Sequence, residues 1–191
     1  YIFKHALTRE VAYESLLKQR RREIHGRIAQ AIEQLDAGRL EEHYEVLAHH
    51  YGRSDNTPKA VDYLILAGEK SNKHGAAQAA YGFFQKALEV SASKNIELDA
   101  ETEMRMHLGS AMASEQIGAI GPAEEGYRKA YELSRHHKMI NYEKESLRYL
   151  SGVMWMWPEK AEAEHFFEEG ISRAREMKDK EVEGWILGFM G

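Results

Sequence analysis

The fold of this chain is decided by the stretch Ala80-Tyr81-Gly82-Phe83-Phe84-Gln85-Lys86-Ala87. Within it, Ala80, Phe84 and Ala87 are spaced so that all three lie on one face of a helix. Small side chains let two helices approach closely, and the large one fills the space toward the next helix. The spacing therefore predicts close helix crossings. Three further sets have the same spacing of a small, a large and a small residue: Ala60, Leu64, Ala67; Ala123, Tyr127, Ala130; and Ala163, Phe167, Gly170.

Turn residues separate the runs that carry this pattern. Pro58, Pro122 and Pro158 each stand just ahead of a helical run, because proline is tolerated in the first turn of a helix. Polar stretches such as residues 53–56 and 93–95 mark further turns. The pattern predicts helices over residues 8–18, 19–37, 39–52, 58–74, 76–92, 98–117, 122–137, 141–157, 159–177 and 180–191.

The repeated pattern resembles that of tetratricopeptide repeats, in which two antiparallel helices form a unit of about 34 residues. The resemblance implies an all-α fold, a right-handed superhelical solenoid of antiparallel helix pairs. It would cover residues 38–191 and be truncated in its last repeat. The register around residues 58–74 stays open, because this helix can close one unit or open the next.

Composition restricts the function classes. Of the 191 residues, 43% are hydrophobic and 30% charged, and the formal net charge is -5. A nucleic-acid surface would normally carry a basic excess, so we expect no nucleic-acid partner. No apolar run approaches the ~20 residues of a membrane span, so we expect no membrane partner. The absence of cysteine is compatible with a reducing compartment, and we expect a cytoplasmic protein.

The first 35 residues carry a different and more specific pattern. Its main segments are Phe3-Lys4-His5-Ala6-Leu7, Arg9-Glu10-Val11-Ala12-Tyr13-Glu14-Ser15-Leu16-Leu17 and Arg21-Arg22-Glu23-Ile24-His25. They resemble the end of the winged-helix module of STAND-class signal-transduction ATPases. In particular, they look like the segment in large bacterial proteins that place class III adenylate or guanylate cyclase domains, then such an ATPase, ahead of tetratricopeptide repeats. The resemblance implies that residues 1–37 are a winged-helix remnant with a connecting helix.

The resemblance implies a place in a larger signalling protein rather than an activity, because the sequence contains no Walker A loop. We expect a protein–protein interaction or regulatory scaffold module with no catalysis and no cofactor. Its partner would be a protein, a peptide or the upstream domains of the same protein. Two alternatives stay open: a region of a nucleotide cyclase, and the effector-sensing arm of an ATP-dependent transcription regulator. The flanking sequence would distinguish them, and the oligomeric state is not indicated.

Three sets of polar residues are candidate ligand sites. His5 lies in the winged-helix motif, and the resemblance implies a contact with nucleotide phosphates; the alternative is an anchor between a short strand and the next helix. The basic run from Lys18 to Arg22 is interpreted as a solvated or domain-contacting face. His43 and His50 lie on one helix face, but no His-Glu-x-x-His pattern accompanies them, so we expect no metal site.

The remaining candidate is the groove lined by the first helix of each unit. In the best-known tetratricopeptide groove, lysines and asparagines grip a terminal carboxylate, whereas Ile65 and Glu69 occupy the corresponding positions here. Glu69 should repel an acidic tail. The sequence predicts a partly apolar groove for a helix or an extended apolar segment, with core packing as the alternative for Trp155. The predicted groove residues are Ile65, Glu69, Leu108, Met112, Arg148, Trp155 and Met156.

Overall fold

The structure is a computed structural model, and it describes residues 17–156 and 160–190. Over these ranges the chain is all-α, with nine α-helices and one 3₁₀-helix. The α-helices are α1 (Lys18–Leu35), α2 (Tyr44–Tyr51), α3 (Thr57–Lys73), α4 (Ala77–Ser93), α5 (Ala100–Gln116), α6 (Ile120–His136), α7 (Ile140–Trp155), α8 (Lys160–Glu176) and α9 (Lys180–Met190). The predicted helix at 8–18 lies mostly outside the described residues.

The helix ends follow from local chemistry. The side chain of Asn56 accepts a hydrogen bond from the Lys59 amide at 3.2 Å, and that of Asp99 accepts one from Thr102 at 3.0 Å, so both act as N-caps. Pro58 and Pro122 fall within the first turns of α3 and α6. No intrahelical partner is lost there, because amides in the first turn have none.

One predicted helix is wrong. Residues 39–52 do not form a single helix: a 3₁₀-helix, Ala37–His43, precedes α2. Arg39 has non-helical backbone angles (φ -137, ψ 31), which break the run. The side chain of Asp36 contacts Arg39 at 3.3 Å and His43 at 3.1 Å. These local polar contacts stabilise the tighter turn in a segment that buries no side chain of its own.

The same turn joins most of the helices. Gly75, Asn95, Gly118, Lys138 and Lys178 all have positive φ just after a helix. In each case the amide of the next residue donates a hydrogen bond to a carbonyl in the last helical turn, as Ala76 does to Ser71 at 2.9 Å. This is the Schellman arrangement, which ends a helix and reverses the chain. Short turns of this kind place consecutive helices antiparallel.

A unit of two helices repeats along the chain. α3 and α4 begin at Thr57 and Ala77, and α5 and α6 begin at Ala100 and Ile120, an offset of 43 residues in both cases. α7 and α8 begin at Ile140 and Lys160, an offset of 40 residues from the preceding pair. The unit is therefore longer than the ~34 residues of a tetratricopeptide repeat. Each helix packs against the next, so the stack resembles a solenoid.

The predicted crossing residues are buried. All members of the four small–large–small sets lie in the core, and Phe84 is fully buried. Its ring lies between Gly68 of α3 and Gly109 of α5: a Cβ atom added to these glycines would lie 2.8 Å and 2.2 Å from a ring carbon. α5 contributes Met106 to the N-terminal core and Leu108 to the C-terminal one. The core thus continues from one helix pair to the next.

A half-buried carboxylate joins α1 to this stack. Glu33 of α1 accepts hydrogen bonds from Tyr51 of α2 at 2.6 Å and from Tyr63 of α3 at 2.7 Å. The Lys59 Nζ of α3 also lies 2.6 Å from the Oε2 of Glu33. Burial alone would raise the pKa of Glu33, but the hydrogen bonds that it accepts outweigh burial and lower this pKa. Glu33 is therefore held as a carboxylate that connects three helices.

Candidate functional site

The helices form two layers, and one of them offers a continuous surface. Helices α3 and α5 contact each other, as do α5 and α7 and then α7 and α9, although none of these pairs is consecutive in the chain. Because alternate helices touch in this layer, we take it as the inner side of the stack. We call its solvent-facing side the inner face. It is the counterpart of the groove that the sequence predicts.

Two of the predicted groove residues are not on this surface. Ile65 is 1% exposed and Leu108 is 6% exposed, so neither side chain is available to a partner. They occupy the same place in α3 and α5, and these two helices contact each other directly. The prediction of an apolar groove floor at these residues is therefore wrong. Met112 of α5 is half-buried and packs against the C-terminal core.

The charge of Glu69 is compensated. Its two carboxylate oxygens accept hydrogen bonds from Nε and Nη2 of Arg105, both at 2.8 Å. Such a bidentate pair is among the stronger charge-assisted hydrogen bonds. The predicted repulsion of an acidic tail by Glu69 is thus corrected, because the partner cation lies on the neighbouring helix α5. Sequence reasoning missed Arg105, since nothing in the sequence pattern pairs the two positions.

Arg148 belongs to a column of stacked side chains. Its guanidinium carbon lies 4.6 Å from the ring centre of Tyr149 and 5.8 Å from that of Trp185 on α9. Tyr149 in turn stacks on Tyr127 at 5.3 Å with 10° between the rings. The hydroxyl of Tyr127 donates to Glu115 at 2.7 Å. The column crosses α9, α7, α6 and α5, so several helices hold the Arg148 guanidinium in place.

The end of α7 and α9 carries exposed apolar side chains. Trp155 is 59% exposed and Met156 is 49% exposed, as the groove prediction requires. The Trp155 ring lies 5.7 Å from Phe189, which is 5.6 Å from Trp185. A groove of about 340 Å³ lies beside Trp155 and Phe167. Sequence reasoning missed Trp185 and Phe189; their place in a further apolar helix was the available signal.

Three histidines meet where α1 packs on α2. The Nδ1 atoms of His25 and His50 are 2.9 Å apart, and the ring of His49 lies 5.3 Å from that of His50. Burial first, and then neighbouring positive charge, lowers the pKa of each of the three. His43 instead contacts Asp36, so the predicted pairing of His43 and His50 on one face does not make a site. In the described ranges no group of three acidic or histidine side chains is arranged to hold a metal ion.

The histidine cluster predicts a loss of stability in mild acid. Because the folded state lowers these pKa values, it disfavours protonation, so the stabilising contribution is present above the unfolded pKa of about 6.5 and is lost as the pH falls. We expect the protection factors of the α1 amides, in which the intrinsic pH dependence of exchange is divided out, to be lower at pH 5.5 than at pH 7.5. His50→Gln should reduce this difference, measured by hydrogen exchange. His136→Gln, which changes an exposed histidine of α6, should leave it unchanged; equal effects of the two variants would contradict the prediction.

The remaining candidates lie near the N-terminus. His5 is outside the described residues, and its contact with nucleotide phosphates stays a prediction. In the basic run, Arg20 pairs with Glu23 at 2.9 Å and Arg22 with Asp55 at 3.3 Å.

Within the parts of the chain that the structure describes, no helix is both long and apolar enough to cross a bilayer.

Comparison with known proteins gives one distant similarity. No family model matches the chain. The chain is similar to an uncharacterized protein of Rhizobium meliloti (strain 1021), with 29% identity over 150 residues. The matched segment covers 73% of this chain but only 14% of that protein. The chain thus corresponds to a small part of a much longer relative.

Proposed function

We propose that this chain is a tetratricopeptide-like arm that binds protein segments on its inner face and performs no catalysis itself. The arm would belong to a cytoplasmic signalling protein with a STAND-class ATPase and a nucleotide cyclase domain, as the N-terminal resemblance implies. The observation that carries the proposal is the inner face, where α7, its C-terminal end and α9 present arginine, tryptophan and methionine side chains.

The chemistry of this face suits binding to proteins. Arginine and tryptophan are the residue types that contribute most at protein interfaces, and exposed aromatic groups provide large contact areas. Trp155, Met156 and Trp185 lie at one end of the face, and the Glu69–Arg105 pair lies toward the other. A partner segment that runs along the face would meet an apolar end and a polar end, which would fix its direction.

The joint at α1 supports a regulatory role. Glu33 connects α1 to both α2 and α3 through hydrogen bonds of 2.6 to 2.7 Å. A helix held in this way moves with the stack rather than independently of it. If residues 1–37 end a winged-helix module, a partner on the inner face would bias the position of that module through α1. The shift in the equilibrium between two positions of the module would be set by the difference in the partner's affinity for the protein in those two positions.

A peptide selection tests the proposal. The 191-residue chain is immobilised and exposed to a displayed library of random peptides, and we expect enrichment of sequences that bind the inner face. Trp155→Ala should weaken binding of the enriched peptides about tenfold, since it removes an exposed aromatic contact. Lys86→Ala, on the exposed side of α4, is the matched control and should have no effect.

The same experiment can contradict the proposal in two ways. If no peptide is enriched, or if the enriched peptides are insensitive to every inner-face substitution, the inner face is not a binding surface. The catalytic part is tested separately by calorimetric titration with ATP and Mg²⁺. We expect no saturable heat, and saturable nucleotide binding would refute a purely interaction-based role for this chain.

A further inference from the structure

Arg148 differs from the comparable arginines of this chain. Arg105, Arg128 and Arg173 are half-buried, as Arg148 is, and each contacts a glutamate carboxylate, at 2.8, 2.6 and 2.9 Å respectively. Over residues 17–156 and 163–190, whose side chains the structure describes, no carboxylate oxygen lies within 4.0 Å of the Arg148 guanidinium. Its neighbours are the rings of Tyr149 and Trp185. The charge of Arg148 is thus supported by aromatic faces rather than by an anion.

A carboxylate on the same helix could have paired with Arg148. Glu145 lies one turn earlier, a spacing at which opposite charges on a helix can meet, yet the two side chains form no ion pair. Instead the guanidinium lies over the Tyr149 ring, and a guanidinium stacked on an aromatic face keeps its N–H donors at the edge of the plane. These donors are therefore available for a ligand that approaches from solvent.

The position of Arg148 is fixed before any ligand arrives. Tyr149 stacks on the fully buried Tyr127, whose hydroxyl donates to Glu115. Because this column crosses from α5 to α9, the guanidinium has little freedom to lose when it binds. Preorganisation of this kind increases affinity without adding contacts.

The surroundings select the ligand. The other cation on α7, Lys144, is neutralised by Asp179 at 2.9 Å, so Arg148 is the cation of this described helix that has no ion pair. One guanidinium matches the single charge and the two oxygens of a carboxylate. Trp185, which is 48% exposed, offers an apolar surface directly beside it. A ligand that uses both features has a carboxylate next to a large apolar group.

We propose that Arg148 binds an aspartate or glutamate side chain of a partner protein, and that a large apolar residue next to it in the partner packs on Trp185. This inference rests on the proposed function, since it names the chemistry of a partner segment on the inner face. It assigns Arg148 as the anchor of that segment. The neighbouring Trp155 and Met156 would extend the apolar contact.

The test uses peptides enriched on the wild-type chain. We expect an acidic residue beside a large apolar one in these sequences. Arg148→Gln should weaken their binding about tenfold or more, as should replacing the acidic residue by its amide. The two changes together should weaken it no further than either alone. Arg148→Lys keeps the positive charge but not the paired N–H donors of the guanidinium, so it should cause an intermediate loss of affinity.

Controls separate binding from folding. Arg27→Gln makes the same charge change at an exposed position of α1 and should leave binding unchanged, with affinities taken from Trp fluorescence or calorimetry. Arg148→Gln should keep the wild-type melting temperature; if it does not, the peptide amide variant on the wild-type chain decides the question. If a phosphoserine peptide binds more tightly than its acidic counterpart, the ligand that Arg148 prefers is a phosphate rather than a carboxylate, and the proposal is overturned.

The outcomes distinguish the two proposals. If peptides are enriched and depend on Trp155 but not on Arg148 or on an acidic residue, the inner face binds proteins and the assignment of Arg148 is wrong. If no peptide is enriched, the proposed function fails and the assignment fails with it. If the losses of affinity caused by Arg148→Gln and by the amide variant of the peptide are not additive, both the proposed function and the assignment of Arg148 are supported.

Discussion

Replacing Phe84 with alanine is expected to lower the free energy of unfolding by about 3–5 kcal/mol, the range for removing a buried aromatic side chain. Phe84 is fully buried in α4, and its ring fills the space left by Gly68 and Gly109. Because those two glycines belong to α3 and α5, the ring joins one helix pair to the next. Urea denaturation followed by circular dichroism measures the change.

The neighbouring residue is the control for this prediction. Phe83 lies on the same helix but is only partly buried, so Phe83→Ala should cost clearly less. Equal losses for the two variants would contradict the view that the Phe84 ring joins the pairs. The glycine side can be tested in the same way. Gly109→Ala should destabilise the fold by overpacking, about 1–3 kcal/mol, although alanine is the better helix former.

A matched pair isolates the overpacking. A Cβ atom on Gly82 of α4 meets nothing within 4 Å, so Gly82→Ala should stabilise the fold by the gain in helix propensity, about 0.5–1 kcal/mol. Adding Phe84→Leu to Gly109→Ala should recover part of the loss, because a smaller side chain leaves room for the new methyl group. An additive double variant would show that the two positions do not contact.

The crossing pattern was predictable because it depends on residue size at fixed helical spacing. The positions of Ala80, Phe84 and Ala87 are set by the period of the helix, and small residues at a crossing have few alternatives. The helix predicted at 39–52 failed for the opposite reason. Its first half is polar, and contacts from Asp36 decide its conformation. Helical periodicity carries no information on such contacts.

The inner face was predictable only in part. Periodicity places Ile65, Leu108 and Arg148 at equivalent points of successive helices, but it does not say how closely those helices approach each other. α3 and α5 contact directly, which buries Ile65 and Leu108. Arg148 lies on α7, where its guanidinium contacts the rings of Tyr149 and Trp185 and the side chain is only half-buried. The difference arises from contacts between helices, which one sequence does not reveal.

Replacing Arg173 with methionine is expected to lower the free energy of unfolding by about 3–5 kcal/mol, the cost of leaving a buried charge without its partner. Glu143 of α7 is fully buried, and Arg173 of α8 donates to both of its carboxylate oxygens through Nε and Nη2, the second at 2.9 Å. Without Arg173 the nearest described cation is Arg135, whose Nε lies 3.9 Å from Glu143. That distance is too long for a good hydrogen bond.

A double variant separates this explanation from a simple loss of packing. Glu143→Leu combined with Arg173→Met should be more stable than Arg173→Met alone, because an apolar pair needs no compensating charge. Arg175→Met, which breaks the exposed contact with Glu183 at 2.6 Å, is the control and should cost less than about 1 kcal/mol. A double variant as unstable as Arg173→Met would show that side-chain volume, rather than the buried charge, determines the loss.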